Sequence, residues 1–280
     1  MKRLLFLLLI PTLHFSTSAQ SVKTRPLKKV MTLKMPRTVD DEMPGTRGAC
    51  VAWHPLQKKY YAAMAGNMGY PLGVFDPTGK QLSSNDQNCN EDTRGLWYNP
   101  VKKTLEGNAY NDAGWFLHKL NAKGTVVETV IKIEGMNQPD GQCVGVLNPL
   151  KKEILFLFNG EVSSYSLADG SPVTTIEIKW GQTKADASPE LAGAEEIGLA
   201  ETPEDYNYTS LVYTGIKGSE LGFLNITNSE IELYNIATGY LSARLALPAT
   251  ASVNPSFNFS FANGMYWLYN IEDRVWTGYK

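Results

Sequence analysis

Two arginines stand in the same local context, because Arg47 and Arg94 each lie between a threonine and a glycine. An arginine presents five N–H donors in a rigid fork that fits a carboxylate or a pair of hydroxyl groups. Carboxylate and amide side chains occupy comparable places before other predicted strands, at Asp92, Asp140, Asn207 and Asn254. If the fold brings these segments together, we expect a polar site for a carboxylate-bearing or hydroxylated ligand. The alternative is that these charges pair with one another and only stabilise turns.

These residues could instead belong to a glycoside hydrolase or lyase. Glycoside hydrolysis needs two carboxylates that flank the scissile bond. Asp92 and Asp140 are candidates for that pair, together with the acidic run at 40–42. The carboxylates do not recur inside the predicted strands, which favours binding over catalysis. The chain also lacks Gly-x-Ser-x-Gly, His-Glu-x-x-His and a phosphate-binding loop.

The sequence offers little for a metal ion. Oxygen-bearing side chains alternate in one polar stretch, at Asp86, Asn88, Asn90 and Asp92. A calcium loop of this spacing would need glycine at its sixth position and glutamate at its twelfth, where this chain has Glu91 and Trp97. His54 lies in a predicted turn and His118 in a predicted strand, without a further ligand at suitable spacing. We therefore expect structural histidines, a solvated polar loop, and neither a metal nor a cofactor.

The elements that must position these residues repeat along the chain. Gly48-Ala-Cys-Val recurs as Gly141-Gln-Cys-Val, and the string Thr-Arg-Gly occurs at both 46–48 and 93–95. A second set of glycines, Gly79, Gly124 and Gly170, follows short polar runs at the same interval. A period of roughly 40–50 residues filled with short strands is typical of a β-propeller blade.

Each unit contains short alternating segments separated by turns, such as the proline-lysine turn at 99–103 and the Asp-Gly turn at 169–170. We count five units of four strands, but the last has only three, at 257–261, 265–270 and 274–279. The segment 29–36 is similar to 242–248, the last strand of the fourth unit. We therefore predict that residues 29–35 complete the fifth blade beside 274–279 and close the ring.

Two other architectures stay open at this point. The stretch 181–204, rich in Ala, Glu, Ser and Pro, is interpreted as an insertion loop with a helical turn near 189–194. If that stretch hides strands, the ring has six blades. A two-sheet β-sandwich also contains strands and turns at regular spacing, although the shared Thr-Arg-Gly and Gly-x-Cys-Val strings argue against coincidence.

Over residues 28–280 the chain resembles β-propeller repeat proteins in general. The string Leu-Gly-Val-Phe-Asp-Pro-Thr-Gly at 72–79 is similar to the ends of repeats in NHL-type propellers. The Trp-Asp dipeptide of WD40 repeats is absent. This resemblance implies the fold and carries over no functional residue.

The chain begins with Met-Lys-Arg, followed by a short apolar run at 4–9 and small residues up to Ala19, a pattern typical of a secretory signal. We expect cleavage near Ala19 and a secreted or periplasmic protein of one domain, residues 20–280. No cysteine lies at the end of the predicted signal, where a bacterial lipoprotein is lipidated, so we expect no such anchor. The formal net charge of −2 and the lack of a basic stripe argue against a nucleic-acid partner. We expect no membrane insertion and a monomer.

Cys50 and Cys143, on the first strands of units that are not neighbours, are interpreted as small buried residues, whereas Cys89 lies in a connecting loop. A disulfide between Cys50 and Cys89 stays open, because pairing is not readable from sequence.

These observations favour a secreted, non-catalytic propeller that binds a protein, peptide or glycan at its loop face. In a propeller, the loops before the inner strands surround one mouth of the central channel, which is where Arg47, Asp92, Arg94, Asp140 and Asn254 fall. The alternatives are a glycoside hydrolase or lyase with carboxylates in the central funnel, and a structural envelope factor.

Overall fold

In a computed structural model, residues 22–38, 47–186 and 201–280 are described, and their strands form five small sheets arranged in a ring, a five-bladed β-propeller. This confirms the predicted fold class and blade number. The predicted signal peptide, the acidic run at 40–42 and the predicted helical turn at 189–194 lie outside these residues. Within them, no helix combines the length and apolar character that a membrane span requires.

The strands are numbered in chain order. Two N-terminal strands precede the first blade, β1 (Thr24–Pro26) and β2 (Lys29–Lys34). The first blade contains β3 (Arg47–His54), β4 (Lys59–Ala65) and β5 (Leu72–Phe75). The second contains β6 (Thr93–Asn99), β7 (Thr104–Ala109), β8 (Trp115–Leu120) and β9 (Val126–Ile133). The third contains β10 (Val146–Asn148), β11 (Glu153–Phe158), β12 (Glu161–Ser166) and β13 (Pro172–Ile176).

The insertion begins with β14 (Lys179–Thr183). The fourth blade contains β15 (Tyr206–Tyr213), β16 (Leu221–Asn225), β17 (Glu230–Tyr234) and β18 (Tyr240–Ala246). The fifth contains β19 (Phe259–Ala262), β20 (Met265–Asn270) and β21 (Val275–Tyr279).

The ring closes through both its inner and its outer strands. The innermost strands contact one another in the order β3, β6, β10, β15, β19 and back to β3. At the periphery, β2 pairs antiparallel with β21, from Lys29 opposite Tyr279 to Lys34 opposite Val275. The predicted completion of the fifth blade by residues 29–35 is therefore confirmed.

Two short strands add to the fourth blade in a way the repeats do not indicate. β1 and β14 both pair parallel with β18, with Thr24 opposite Arg244 and Lys179 opposite Tyr240. They share the outer side of β18, which would otherwise present unpaired backbone groups at an open edge. The predicted insertion loop at 181–204 thus starts within a strand.

Five buried apolar clusters fill the ring, and each draws on neighbouring blades. The cluster between the fifth and first blades, for example, combines Leu33 with Tyr60, Trp267 and Trp276. Most of the large aromatic side chains are buried in these clusters, as expected for sheets that pack face to face. The three cysteines are buried free thiols, so the possible disulfide between Cys50 and Cys89 does not form.

Three local predictions are corrected. The string Gly141-Gln-Cys-Val repeats the start of β3 and so predicts an inner strand from residue 141, but the strand formed is only β10. The backbone before β10 bonds to other blades instead: the side chain of Asn108 bonds Cys143 O and Gly145 N, and Val144 N donates to Thr209 O. The strand expected from residue 257 begins at Phe259. In the first blade, the place of a regular fourth strand is taken by the segment 81–89, which meets β5 through isolated bridges.

Candidate functional site

The mouth of the channel before the inner strands brings the two predicted arginines together. Arg47 is the first residue of β3, and Arg94 is the second residue of β6 on the next blade. Their guanidinium carbons lie 5.6 and 5.5 Å from the centre of one aromatic ring, that of Phe257. Both distances fall within the range of cation–π contact. The repeated Thr-Arg-Gly string predicts a common rim for the two arginines, but nothing in it indicates the aromatic ring that both contact.

Arg94 is buried and neutralised by Asp92. Its Nη1 lies 2.5 Å from Oδ1 of Asp92 and its Nη2 lies 3.3 Å from Oδ2. The arginine side chain is 4% exposed and the aspartate side chain 23%. Gly66 N also donates to Asp92 Oδ1 over 2.7 Å, which ties the first blade to the second. Arg94 and Asp92 thus pair with each other and stabilise the turns between blades, which is the alternative to a ligand site raised by the sequence.

A second aromatic ring covers the other side of Arg94. The guanidinium carbon lies 4.6 Å from the centre of the Tyr110 ring, and Tyr110 N donates to Asp92 O over 2.8 Å. The Nε atom of Arg94 is buried and has no hydrogen-bond partner. A buried N–H donor without an acceptor is unfavourable, but its burial also keeps this atom out of reach of a ligand at the mouth.

Arg47 differs from Arg94 in its surroundings. It is exposed, and no carboxylate of the described residues forms an ion pair with it. Its side chain therefore offers its donors to solvent while the ring of Phe257 supports it from one side.

The backbone at Phe257 is strained. Phe257 and Asn258 have φ values of 50° and 58°, a left-handed conformation that is rare for a bulky residue. Four hydrogen bonds hold it, since Phe257 N donates to Thr209 Oγ1, Asn207 Nδ2 donates to Phe257 O, and Asn258 and Gly48 bond each other twice. Such strain persists where surrounding contacts over-determine it, and it clusters at ligand sites.

The other predicted site residues stabilise loops around this mouth. Asp140 Oδ1 accepts the N–H of Gln142 over 2.8 Å. Asn254 Nδ2 donates to Ser252 Oγ over 3.2 Å, while Asn254 O accepts a bond from Asn207. These contacts order the loops of the third and fifth blades.

The two histidines of the described residues have structural partners. His54 Nδ1 accepts the N–H of Gln57 in the turn after β3, and His118 Nδ1 lies 3.0 Å from Thr129 Oγ1. Burial lowers the pKa of His118 to about 3, so this ring is neutral at physiological pH. Most of the polar stretch at 86–92 lies in the irregular edge of the first blade, where Cys89 is buried.

A cluster of carboxylates in the fourth blade was not identified from the sequence. Ligand atoms of Glu201, Glu230 and Glu232 lie within 4.8 Å of one another, which is close enough to surround a metal ion. Glu232 is fully buried and accepts hydrogen bonds from the hydroxyls of Tyr206 and Tyr234, each over 2.6 Å. The alternation Glu-x-Glu-x-Tyr in β17 is the signal that could have located it, because alternate residues share one face of a strand.

Arg244 is the cation of this cluster. It reaches Glu232, Glu230 and Glu201 over 2.8, 3.2 and 3.5 Å. Burial and the neighbouring Glu232 raise the pKa of Glu230 to about 7. One cation thus faces three acidic groups, and partial protonation relieves their repulsion.

Comparison with known proteins supports the fold. No protein-family model matches the chain, and no curated protein matches it. Among solved structures, the crystal structure of glutaminyl cyclase from Myxococcus xanthus matches with a TM-score of 0.53 and 10% sequence identity. The match covers 93% of this chain and 98% of that one. At this identity the likeness shows the fold alone.

Proposed function

We propose that this chain is an exported, non-catalytic binding protein that captures an anionic group of a protein, peptide or glycan at the channel mouth. The observation that carries the proposal is the exposed guanidinium of Arg47, which rests on Phe257 without a carboxylate partner among the described residues. An unpaired arginine beside a strained aromatic residue is suited to receive a carboxylate through two parallel hydrogen bonds.

The charges around Phe257 favour an anion. Arg47 and Arg94 both face its ring, while Asp92 neutralises only Arg94. Among the described residues, Arg47 is therefore the cation at this ring that has no carboxylate partner, and an incoming carboxylate would complete the pair. Arg94 contributes a preorganised wall, because its buried guanidinium holds Asp92 and lies against the ring of Phe257.

The catalytic alternative finds less support in the geometry. Asp92 is bound by Arg94, and Asp140 is engaged by the backbone of its own turn. A glycoside hydrolase would need two carboxylates free to face the bond. The remaining candidates, at 40–42, lie outside the described residues.

Calorimetric titration tests the proposal with tri-glutamate and tri-galacturonate, compared with the uncharged tri-glutamine and galactotriose. We expect an anionic probe to bind and its affinity to fall with added salt, because an exposed charge pair is screened. Arg47→Ala should weaken binding about tenfold or more, the loss of one charge-assisted contact of about 1.4 kcal/mol or more. Arg47→Lys should retain part of it.

The control is Arg25→Ala, which removes an exposed arginine from β1 on the fourth blade. It should leave the affinity unchanged, and neither Arg25→Ala nor Arg47→Ala should change the melting temperature. Arg94→Ala, in contrast, should lower stability by about 1–3 kcal/mol because it leaves Asp92 unpaired. No binding of either anionic probe at millimolar concentration, or equal binding by Arg47→Ala, would overturn the proposal.

A further inference from the structure

The end of the channel opposite the arginines contains a cavity of about 440 Å³. Its walls come from all five inner strands, with the later residues of β3, β6 and β15, and from the turns that follow these strands. Three turn prolines, Pro55, Pro100 and Pro149, lie at its outer end. It is therefore separate from the mouth, where the same strands begin.

The walls of this cavity are apolar and uncharged. None of the described residues that line it is Asp, Glu, Lys, Arg or His. Three of its polar side chains have partners within the protein: Ser260 bonds the backbone of Val51, Thr214 donates to Ser219 O, and Asn263 donates to Tyr60. The indole N–H of Trp97 also belongs to the lining and is buried without an acceptor. A charged ligand would lose its hydration there without compensation.

Aromatic side chains surround the open end. Trp53, Tyr98, Tyr213 and Phe261 line the cavity from four different blades, and each is only half-buried. Deeper in, Cys50, Leu96 and Val144 line it and belong to the buried cluster that contains Phe257. The inner wall of the cavity thus belongs to the same apolar cluster as Phe257, although Phe257 itself does not line the cavity.

Water is a poor occupant of such a space. A volume of this size would hold on the order of ten water molecules, each of which requires two to four polar partners. The walls offer few free donors or acceptors, so an apolar ligand that displaces this water gains free energy. The volume also falls within the range of small-molecule sites, roughly 300–1,000 Å³.

We propose that this cavity binds an uncharged, largely apolar small molecule that enters from the side of the proline turns. The aromatic rim contacts the ligand as it enters, and the inner-strand side chains enclose its apolar body. The site is independent of the anion-binding mouth.

Titration of the full chain with the uncharged fluorescent probe N-phenyl-1-naphthylamine tests this site. We expect one probe per chain, an increase in its fluorescence, and affinity that salt does not weaken. Val146→Trp places a large side chain on the cavity wall, and we expect it to reduce the affinity about tenfold or more, which corresponds to about 1.4 kcal/mol. The matched control is Val173→Trp on the exposed strand β13, which should bind as the original chain does.

Two further measurements keep the test decisive if Val146→Trp does not fold. Phe261→Ser removes an aromatic ring from the rim and leaves a small polar side chain, so it should also weaken binding. Arg47→Ala should leave the probe affinity unchanged, which separates this site from the mouth. The proposal is overturned if the probe fails to bind, binds in many copies per chain, or binds equally well to folded Val146→Trp or Phe261→Ser.

Discussion

At the scale of single residues, the fourth blade holds three glutamates and Arg244 together in a largely buried cluster. Glu232 is buried and satisfied by two tyrosine hydroxyls and Arg244, so it has the partners that a buried carboxylate requires. Glu230 shares that arginine, and burial raises its pKa from an ordinary 4.5 to about 7. The proton that Glu230 retains in the folded protein links stability to pH.

The sign of this link follows from the two pKa values. Between about pH 4.5 and 7 the folded protein holds a proton on Glu230 that the unfolded chain has lost. The stabilisation from this proton is complete below the unfolded value and is lost as pH rises through the folded one. Glu230→Gln, which stays neutral, should therefore be more stable than the original chain at pH 8 by about 1–3 kcal/mol and nearly equal at pH 5.

Urea denaturation at both pH values measures this difference. The opposite contribution of His118, whose pKa is lowered by burial, cancels because both proteins contain it. Glu161→Gln, an exposed change on β12, serves as the control and should not gain stability at pH 8. A Glu230→Gln protein that is no more stable than the original at pH 8 would contradict the linkage.

At the scale of elements, the two sets of repeat glycines exist for different physical reasons. Gly48 and Gly95 do not have positive φ, but a Cβ atom there would lie 2.5 Å from Trp276 and 2.4 Å from Gly145 O. They permit neighbouring blades to approach closely. The second set, Gly79, Gly124 and Gly170, adopts positive φ in the hairpin turns, with values from 73° to 89°, and Gly239 has φ 73° in the matching turn of the fourth blade.

Gly95→Ala should therefore be strongly destabilising, because the nearest atom is a backbone oxygen of another blade that cannot move alone. We expect a loss of about 2–4 kcal/mol in the free energy of unfolding, from overpacking and displaced blade contacts. Gly141→Ala is the matched control at the corresponding place of the third blade, where the nearest atoms are 3.2 Å away. Chemical denaturation of both variants compares them, and equal losses would show that close approach at Gly95 is not the cause.

At the scale of the whole molecule, the ring is closed by a strand from the other end of the chain. β2 pairs with β21, and its Leu33 is fully buried among side chains of the first and fifth blades. The N-terminal segment also supplies β1 to the fourth blade. Closure therefore joins three blades through residues 24–34.

Leu33→Ala should lower the free energy of unfolding by about 2–4 kcal/mol, as for a leucine in the interior of a core. Val30→Ala on the same strand provides the control, since Val30 is 55% exposed and should lose less than about 0.5 kcal/mol. Thermal and urea unfolding distinguish the two. If Leu33→Ala unfolds like the original chain, β2 does not close the ring.

Much of this architecture was predictable from sequence because its signals are local. Turn glycines, proline turns and alternating segments depend on neighbouring residues, so the five blades, the closing strand and the rim positions of Arg47 and Arg94 could be inferred. The prediction of regular strand pairing was wrong where a side chain of another blade supplied the hydrogen bonds, as at Cys143 and Gly145.

Only the tertiary structure decided which residues from different blades lie in contact. The ring of Phe257 lies between arginines more than 150 positions away, and Asn258 bonds Gly48 at a separation of 210 residues. Packing also decides that Arg94 is neutralised while Arg47 is exposed. It likewise forms the apolar cavity and gathers the carboxylates around Arg244. Sequence periodicity specifies how each blade forms, but the contacts between blades depend on side-chain shape and charge brought together only when the ring closes.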